Sequence, residues 1–75
     1  MEPHQIRYIK EYQELDEKTE KLGLLLEKHR KGKLEFELNC PPILLIAQYD
    51  AMYEYRRCLR LRAKYEGVDL TTKVD

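Results

Sequence analysis

PPILLIAQYDAMYEYRRCLRLRAKYEG, residues 41–67, is the stretch from which the architecture follows. Pro41 precedes a second proline and is kept out of the helical region, whereas Pro42 suits a first helical turn, where no N–H partner is needed. Nothing from there to Glu66 breaks a helix, and Gly67 suits the position just past its end. Leu45, Gln48, Met52, Tyr55, Leu59 and Ala63 recur at steps of three and four and form one face. The start of this helix differs: Ile43, Leu44, Leu45, Ile46 and Ala47 are apolar on every side, and Tyr49 and Tyr53 continue a second apolar face. A helix apolar all round is buried on more than one side. Either residues 34–40 wrap over it, or a second copy of the chain covers it. The second is the leading expectation, with Ile43, Leu44, Ile46, Tyr49 and Tyr53 as the oligomer interface.

Upstream, Pro3 can open a helix, and residues 4–31 hold mostly good helix formers. Ile9, Tyr12, Leu15, Leu22, Leu25 and Leu26, with Thr19 between them, give one apolar stripe. Glu14–Lys18 and Glu17–Lys21 are i,i+4 pairs in the favoured order on the far face. Gly23 is the one weak position, since glycine costs about 1 kcal/mol against alanine in a helix. Gly32 suits a C-terminal stop. LEFELN, residues 34–39, alternates apolar with polar residues, a short extended pattern. It is expected to fold over the hairpin end with Leu34, Phe36 and Leu38 inward, or to dock on another subunit.

These elements predict an all-α fold: an antiparallel two-helix hairpin, helices 4–31 and 42–66, with a short extended connection. Residues 1–70 make one domain and residues 71–75 a frayed tail, with Val68-Asp69-Leu70 packing back. The expected core is Ile9, Leu15, Leu22, Leu45, Met52, Tyr55 and Leu59. Antiparallel pairing sets Leu26 near Leu45, Leu22 near Gln48, Leu15 near Tyr55 and Tyr8 near Arg62, with Glu11 placed to pair with Arg62.

The chain has 75 residues, a size at which an isolated core is marginal and a partner chain, metal or staple is usually needed. Apolar residues at 43% and charged residues at 37% are compatible with folding rather than disorder. The formal net charge is zero, which removes any global attraction to DNA or anionic lipid. Cys40 and Cys58 are too few for a disulfide framework and are read as reduced thiols, Cys58 buried. There is no apolar run of membrane-span length and no signal-type N-terminus, so an intracellular protein is expected.

No glycine-rich phosphate loop, HExxH or GxSxG is present, and the expectation is that the chain is not an enzyme. His4, His29, Cys40 and Cys58 lack the paired spacing of a zinc site, so neither metal nor cofactor is expected. Glu11 and Glu14 lie one turn apart, but an acid–base pair needs a cleft. The densest chemistry is Arg56, Arg57, Arg60, Arg62 and Lys64 interleaved with Tyr53, Tyr55 and Tyr65, with Arg7, Tyr8 and Lys10 at the same pole. Guanidinium groups fork phosphate oxygens and tyrosine rings stack on bases. The set reads either as a nucleotide site or as a solvated helix whose arginines lie along apolar surface.

Two runs carry a resemblance. They are Arg7-Tyr8-Ile9-Lys10-Glu11-Tyr12-Gln13-Glu14-Leu15 with Lys18, Lys21 and Leu22, and Leu44-Leu45-x-x-Gln48-x-x-Ala51-Met52-x-x-Tyr55-x-x-Cys58-Leu59-x-x-Arg62. Over residues 6–63 the chain resembles small helical-hairpin proteins of phages and prophages, including a group first labelled from crAss-like phage. It departs from them at Gly23, at the LEFELNCPP connection and at Tyr49. Its shape also looks like the anti-CBASS and anti-Thoeris sponges with which phages blunt cyclic-nucleotide immune signalling. The resemblance implies a homo-oligomer in the host bacterial cytoplasm that holds a messenger between subunits without hydrolysing it. Arg7, Arg57, Arg60 and Lys64 would then meet phosphates, and Tyr8 or Tyr53 would stack on a base. The alternative is a protein-interaction module that inhibits a host or CRISPR protein, or a small regulatory or assembly factor. DNA binding through the second helix is a weaker third reading, which neutral net charge opposes.

Overall fold

The computed structural model describes residues 2–73 and contains two helices, α1 (Pro3–Arg30) and α2 (Pro42–Glu66), with no strand among them. They pack against each other as a hairpin. α1 opens with the Glu2 N–H donating to Gln5 Oε1 at 3.1 Å, and Pro3 needs no donor there. It closes where Gly32, at φ 69°, takes the left-handed conformation and lets Lys33 N–H reach the Lys28 carbonyl at 2.8 Å. Lys28 and Arg30 place positive charge at this carbonyl-rich end. α2 ends the same way: Gly67 has φ 68° and Val68 N–H bonds the Ala63 carbonyl at 3.0 Å.

The core is small and lies towards the open end of the hairpin. Ile9 and Leu59 are fully buried, and Tyr8, Tyr12 and Ala63 are nearly so. Thr19 is also fully buried, which is tolerable because its hydroxyl donates to the Leu15 carbonyl at 2.6 Å. Val68 and Leu70 fold back onto this cluster. Of the other residues expected in the core, Leu15, Leu22, Leu45 and Met52 are half-buried and Tyr55 is exposed. Tyr8 is buried instead, with its hydroxyl donated to the Leu59 carbonyl, and on α2 it is Arg56 rather than its neighbour Tyr55 that turns inward.

Three further expectations change. Glu35 and Phe36 form a bend, which breaks the alternation of LEFELN; Leu34 and Leu38 remain half-buried while Phe36 turns outward, 59% exposed. The tail is tied down through Thr72: Gln13 donates to the Leu70 and Thr72 carbonyls at 3.1 and 2.8 Å, and Asp69 accepts from the Thr71 N–H and hydroxyl. The expected fraying of Val74 and Asp75 lies outside the described residues. Gly23 has a packing reason, because a Cβ there would sit 3.0 Å from Cε2 of Tyr49. Two of the three places that depart from the resembled hairpins therefore meet, the missing side chain on α1 admitting the ring on α2.

The hairpin is a rod of 45 × 22 × 18 Å with a radius of gyration of 15.1 Å. A compact domain of this length would have about 11 Å. Much apolar surface is left uncovered: Leu24, Phe36, Ile43, Leu44, Ile46, Tyr53 and Leu61 are all exposed.

Gly23→Leu is expected to lower stability by about 1–3 kcal/mol by driving into Tyr49. Tyr49→Ala in the same chain should recover most of that loss. Urea midpoints of the two single variants and the double variant test this; strictly additive effects would contradict the contact.

Candidate functional site

The arginine–tyrosine chemistry is positioned by the seam. Leu59 and Ala63 occupy its centre, so neighbouring α2 residues fall on its two edges. Residues two apart on a helix are separated by about 200° around its axis, and this sends Arg60 and Arg62 to opposite edges. On one edge the Arg62 guanidinium lies over the Tyr8 ring, 4.8 Å from its centroid, and its Nε contacts Glu66 at 3.4 Å. On the other, Arg60 lies over Tyr12 at 5.8 Å and its Nε donates to the Tyr12 hydroxyl at 2.7 Å. The expected Tyr8–Arg62 meeting is thus present. The expected Glu11–Arg62 ion pair is not: Glu11 accepts from the Tyr55 hydroxyl, and Arg62 turns to Glu66. The bond to the Glu11 carboxylate holds the Tyr55 phenol above its ordinary value.

Arg56 reaches inward. Only 5% of it is exposed, and its Nη1 bridges Asp16 Oδ1 at 2.9 Å and Glu20 Oε1 at 2.8 Å. Its guanidinium also faces the Tyr53 ring at 5.2 Å. Burial opposes the charge, but the bonds from Glu20 and Asp16 outweigh it, and Arg56 holds its proton more tightly than an ordinary arginine. Arg57 is bound to Glu54 at 3.1 Å on the same helix. Arg60, 54% exposed along its side chain, keeps Asp16 at 3.7 Å.

The residues expected to meet one nucleotide therefore divide. Arg7 and Tyr8 line an open cavity of about 350 Å³ with His4, Gln5, Glu11, Arg62 and Glu66. Tyr8 is buried there and Arg62 already covers a face of its ring, which opposes base stacking. Arg60 lies on the other edge, and Tyr53, Arg57 and Lys64 are exposed on that flank of α2. Tyr49 joins them, with its ring centroid 6.2 Å from that of Tyr53. Tyr12 and Asp16, which hold Arg60, lie outside the site residues that the sequence points to; their signal is their place on the α1 face that meets α2.

The cysteine reading changes as well. Cys58 is exposed rather than buried, because it precedes Leu59 by about 100° and so leaves the seam. Cys40 is half-buried at the closed end. It lines a cavity of about 480 Å³ with His29, Leu34, Phe36 and Leu38. Among the described residues, no three His, Cys, Asp or Glu side chains are grouped to hold a metal ion, and no helix is long and apolar enough to cross a membrane.

Residues 2–65 match the family model described as Sequestin. No curated protein and no solved structure matches the chain. The matched span takes in both arginine edges and stops short of Gly67 and the folded-back tail.

Burial raises the Tyr8 phenol above its ordinary value, and the nearby Arg62 charge only partly offsets this. The neutral phenol is thus favoured in the fold. Its stabilising contribution is complete below the unfolded value of about 10 and is lost as pH rises through the higher folded value. Stability should fall above about pH 10. Tyr8→Phe should flatten that fall and, near neutral pH, cost about 1 kcal/mol for the lost bond to Leu59. Urea unfolding between neutral and strongly alkaline pH checks both; an unchanged alkaline slope would contradict the assignment.

Proposed function

Because the chain belongs to the Sequestin family, we propose that it binds a small signalling nucleotide and holds it without turning it over. The family's name denotes sequestration, and the matched span takes in nearly all of both helices. The observation that carries the nucleotide reading is Arg60. It is half-exposed, braced by the Tyr12 hydroxyl and ring, and lies on the α2 flank that bears Tyr49 and Tyr53. A guanidinium held in place loses little freedom when it forks a phosphate, and the adjacent rings offer faces for a base. Lys64, one turn further along, adds a second positive group on the same flank.

The reading also carries a homo-oligomer. One hairpin presents this flank as an open surface, and a second copy would supply the opposite wall and cover the exposed apolar residues of α2. Arg7 belongs to the other edge and is assigned no part in this pocket. The setting we propose is a phage or prophage protein acting in the bacterial cytoplasm against cyclic-nucleotide immune signalling. The exposed Phe36, Ile43 and Leu44 at the closed end support a second reading, in which a foreign protein is the partner and the chain is an interaction module.

Calorimetric titration with a panel of cyclic di- and trinucleotides and cyclic ADP-ribose isomers tests the proposal. At least one ligand should bind and be recovered intact after heat denaturation. Arg60→Ala should weaken it at least about tenfold, the loss of a charge-assisted phosphate contact. Absence of heat across the panel with folded protein, or recovery of a hydrolysed product, would overturn the reading.

A further inference from the structure

α2 carries a second seam, on the side turned away from α1. Ile43, Ile46, Asp50, Tyr53, Arg57 and Leu61 follow one another at steps of three or four, the spacing that keeps side chains on one line of a helix facing another helix. All are exposed, the apolar ones conspicuously: Ile43 at 68%, Ile46 at 44%, Tyr53 at 47% and Leu61 at 42%. Lys64 extends the line. Neither α1 nor the connection covers it, since α1 meets the Leu59–Ala63 face and Phe36 itself points outward.

This line is complementary to its own reverse. When an antiparallel copy of α2 is laid along it, centred between Tyr53 and Glu54, each residue meets the one equally distant on the other side. Ile46 then faces Leu61, Asp50 faces Arg57 and Ile43 faces the aliphatic stem of Lys64, each twice by symmetry. The two copies of Tyr53 flank the centre, offset along the axis by one residue, about 1.5 Å. Apolar groups meet apolar groups and the acid meets the base. A parallel alignment would instead set Asp50 on Asp50 and Arg57 on Arg57. Asp50 has no ion pair among the described residues, whereas Arg57 already touches Glu54 at 3.1 Å on its exposed side.

We propose that α2 pairs with α2 of a second copy along Ile43–Leu61, antiparallel about a two-fold axis near Tyr53, with Asp50 and Arg57 as reciprocal ion pairs that fix the register. Polar residues at seam positions select one register at some cost in stability. The arrangement deepens the assembly named above and rests on that part of the reading alone. It makes Arg57 an interface residue rather than a phosphate ligand. A two-fold perpendicular to both helices keeps like flanks on one side, so Tyr49 and Arg60 of both copies border a single groove. The site is then incomplete in one chain.

The experiment is sedimentation equilibrium of the full chain and three charge variants, with helicity checked by circular dichroism. The native chain should be dimeric or a multiple of dimers. Asp50→Arg and Arg57→Asp should each weaken the dimer at least about tenfold, and the two together in one chain should restore it to within about threefold, because the pair is merely reversed. In a chain with Cys40→Ser and Cys58→Ser, Tyr53→Cys should cross-link to itself under mild oxidation, and Glu14→Cys should not. A native dimer indifferent to all three charge variants would overturn this seam and leave the nucleotide reading standing. A native monomer would overturn both the seam and the proposed assembly.

Discussion

Leu59 and Ala63 pressed against Tyr8 and Tyr12 form the contact on which the rest of the structure hangs. It is a short strip in a long hairpin, and it places every other group of interest. Its two edges are closed by Arg62 over Tyr8 and Arg60 over Tyr12, 4.8 and 5.8 Å from the ring centroids. A guanidinium lying on a ring keeps its charge near water while its stem and plane cover apolar surface. The same residues that complete a thin core therefore present positive charge at its rim. A variant that empties the seam therefore also misplaces the arginines.

Shape limits what one copy can do. A rod 18 Å across in its thinnest direction has no room for an enclosed pocket between two helices. Its cavities are open, and the chemically interesting groups lie on separate edges of the seam. Binding a small ligand firmly requires walls on more than one side. The exposed apolar line on α2 and the divided cationic groups are consequences of the same fact, that two helices enclose very little. The proposed second hairpin on that line would address both.

The element boundaries were legible because they rest on local chemistry: Pro3 and Pro42 at helix starts, Gly32 and Gly67 in the left-handed conformation at their ends. The central face of α2 was legible from its three–four spacing. The edges of the seam were not. Tyr55 and Arg56 are neighbours on α2, about 100° apart, and a modest rotation decides which of them turns inward. Arg56 would be placed outside by residue type; only Asp16 and Glu20, one turn apart on the facing helix, make its inward position tolerable. Phe36 followed the alternation of LEFELN in the sequence, but a bend at Glu35–Phe36 overrides period-two logic. The candidate site suffered most, because one pole of a hairpin is a single place in sequence terms and two edges in three dimensions.

Native mass spectrometry of the chain with a bound cyclic nucleotide tests whether two copies are needed to hold one ligand, since it reads subunit number, ligand number and ligand mass together. Ligand should appear only on species with an even number of chains, one nucleotide for each pair, with its mass unchanged after release. Nucleotide retained on single chains, or released with an altered mass, would contradict this expectation.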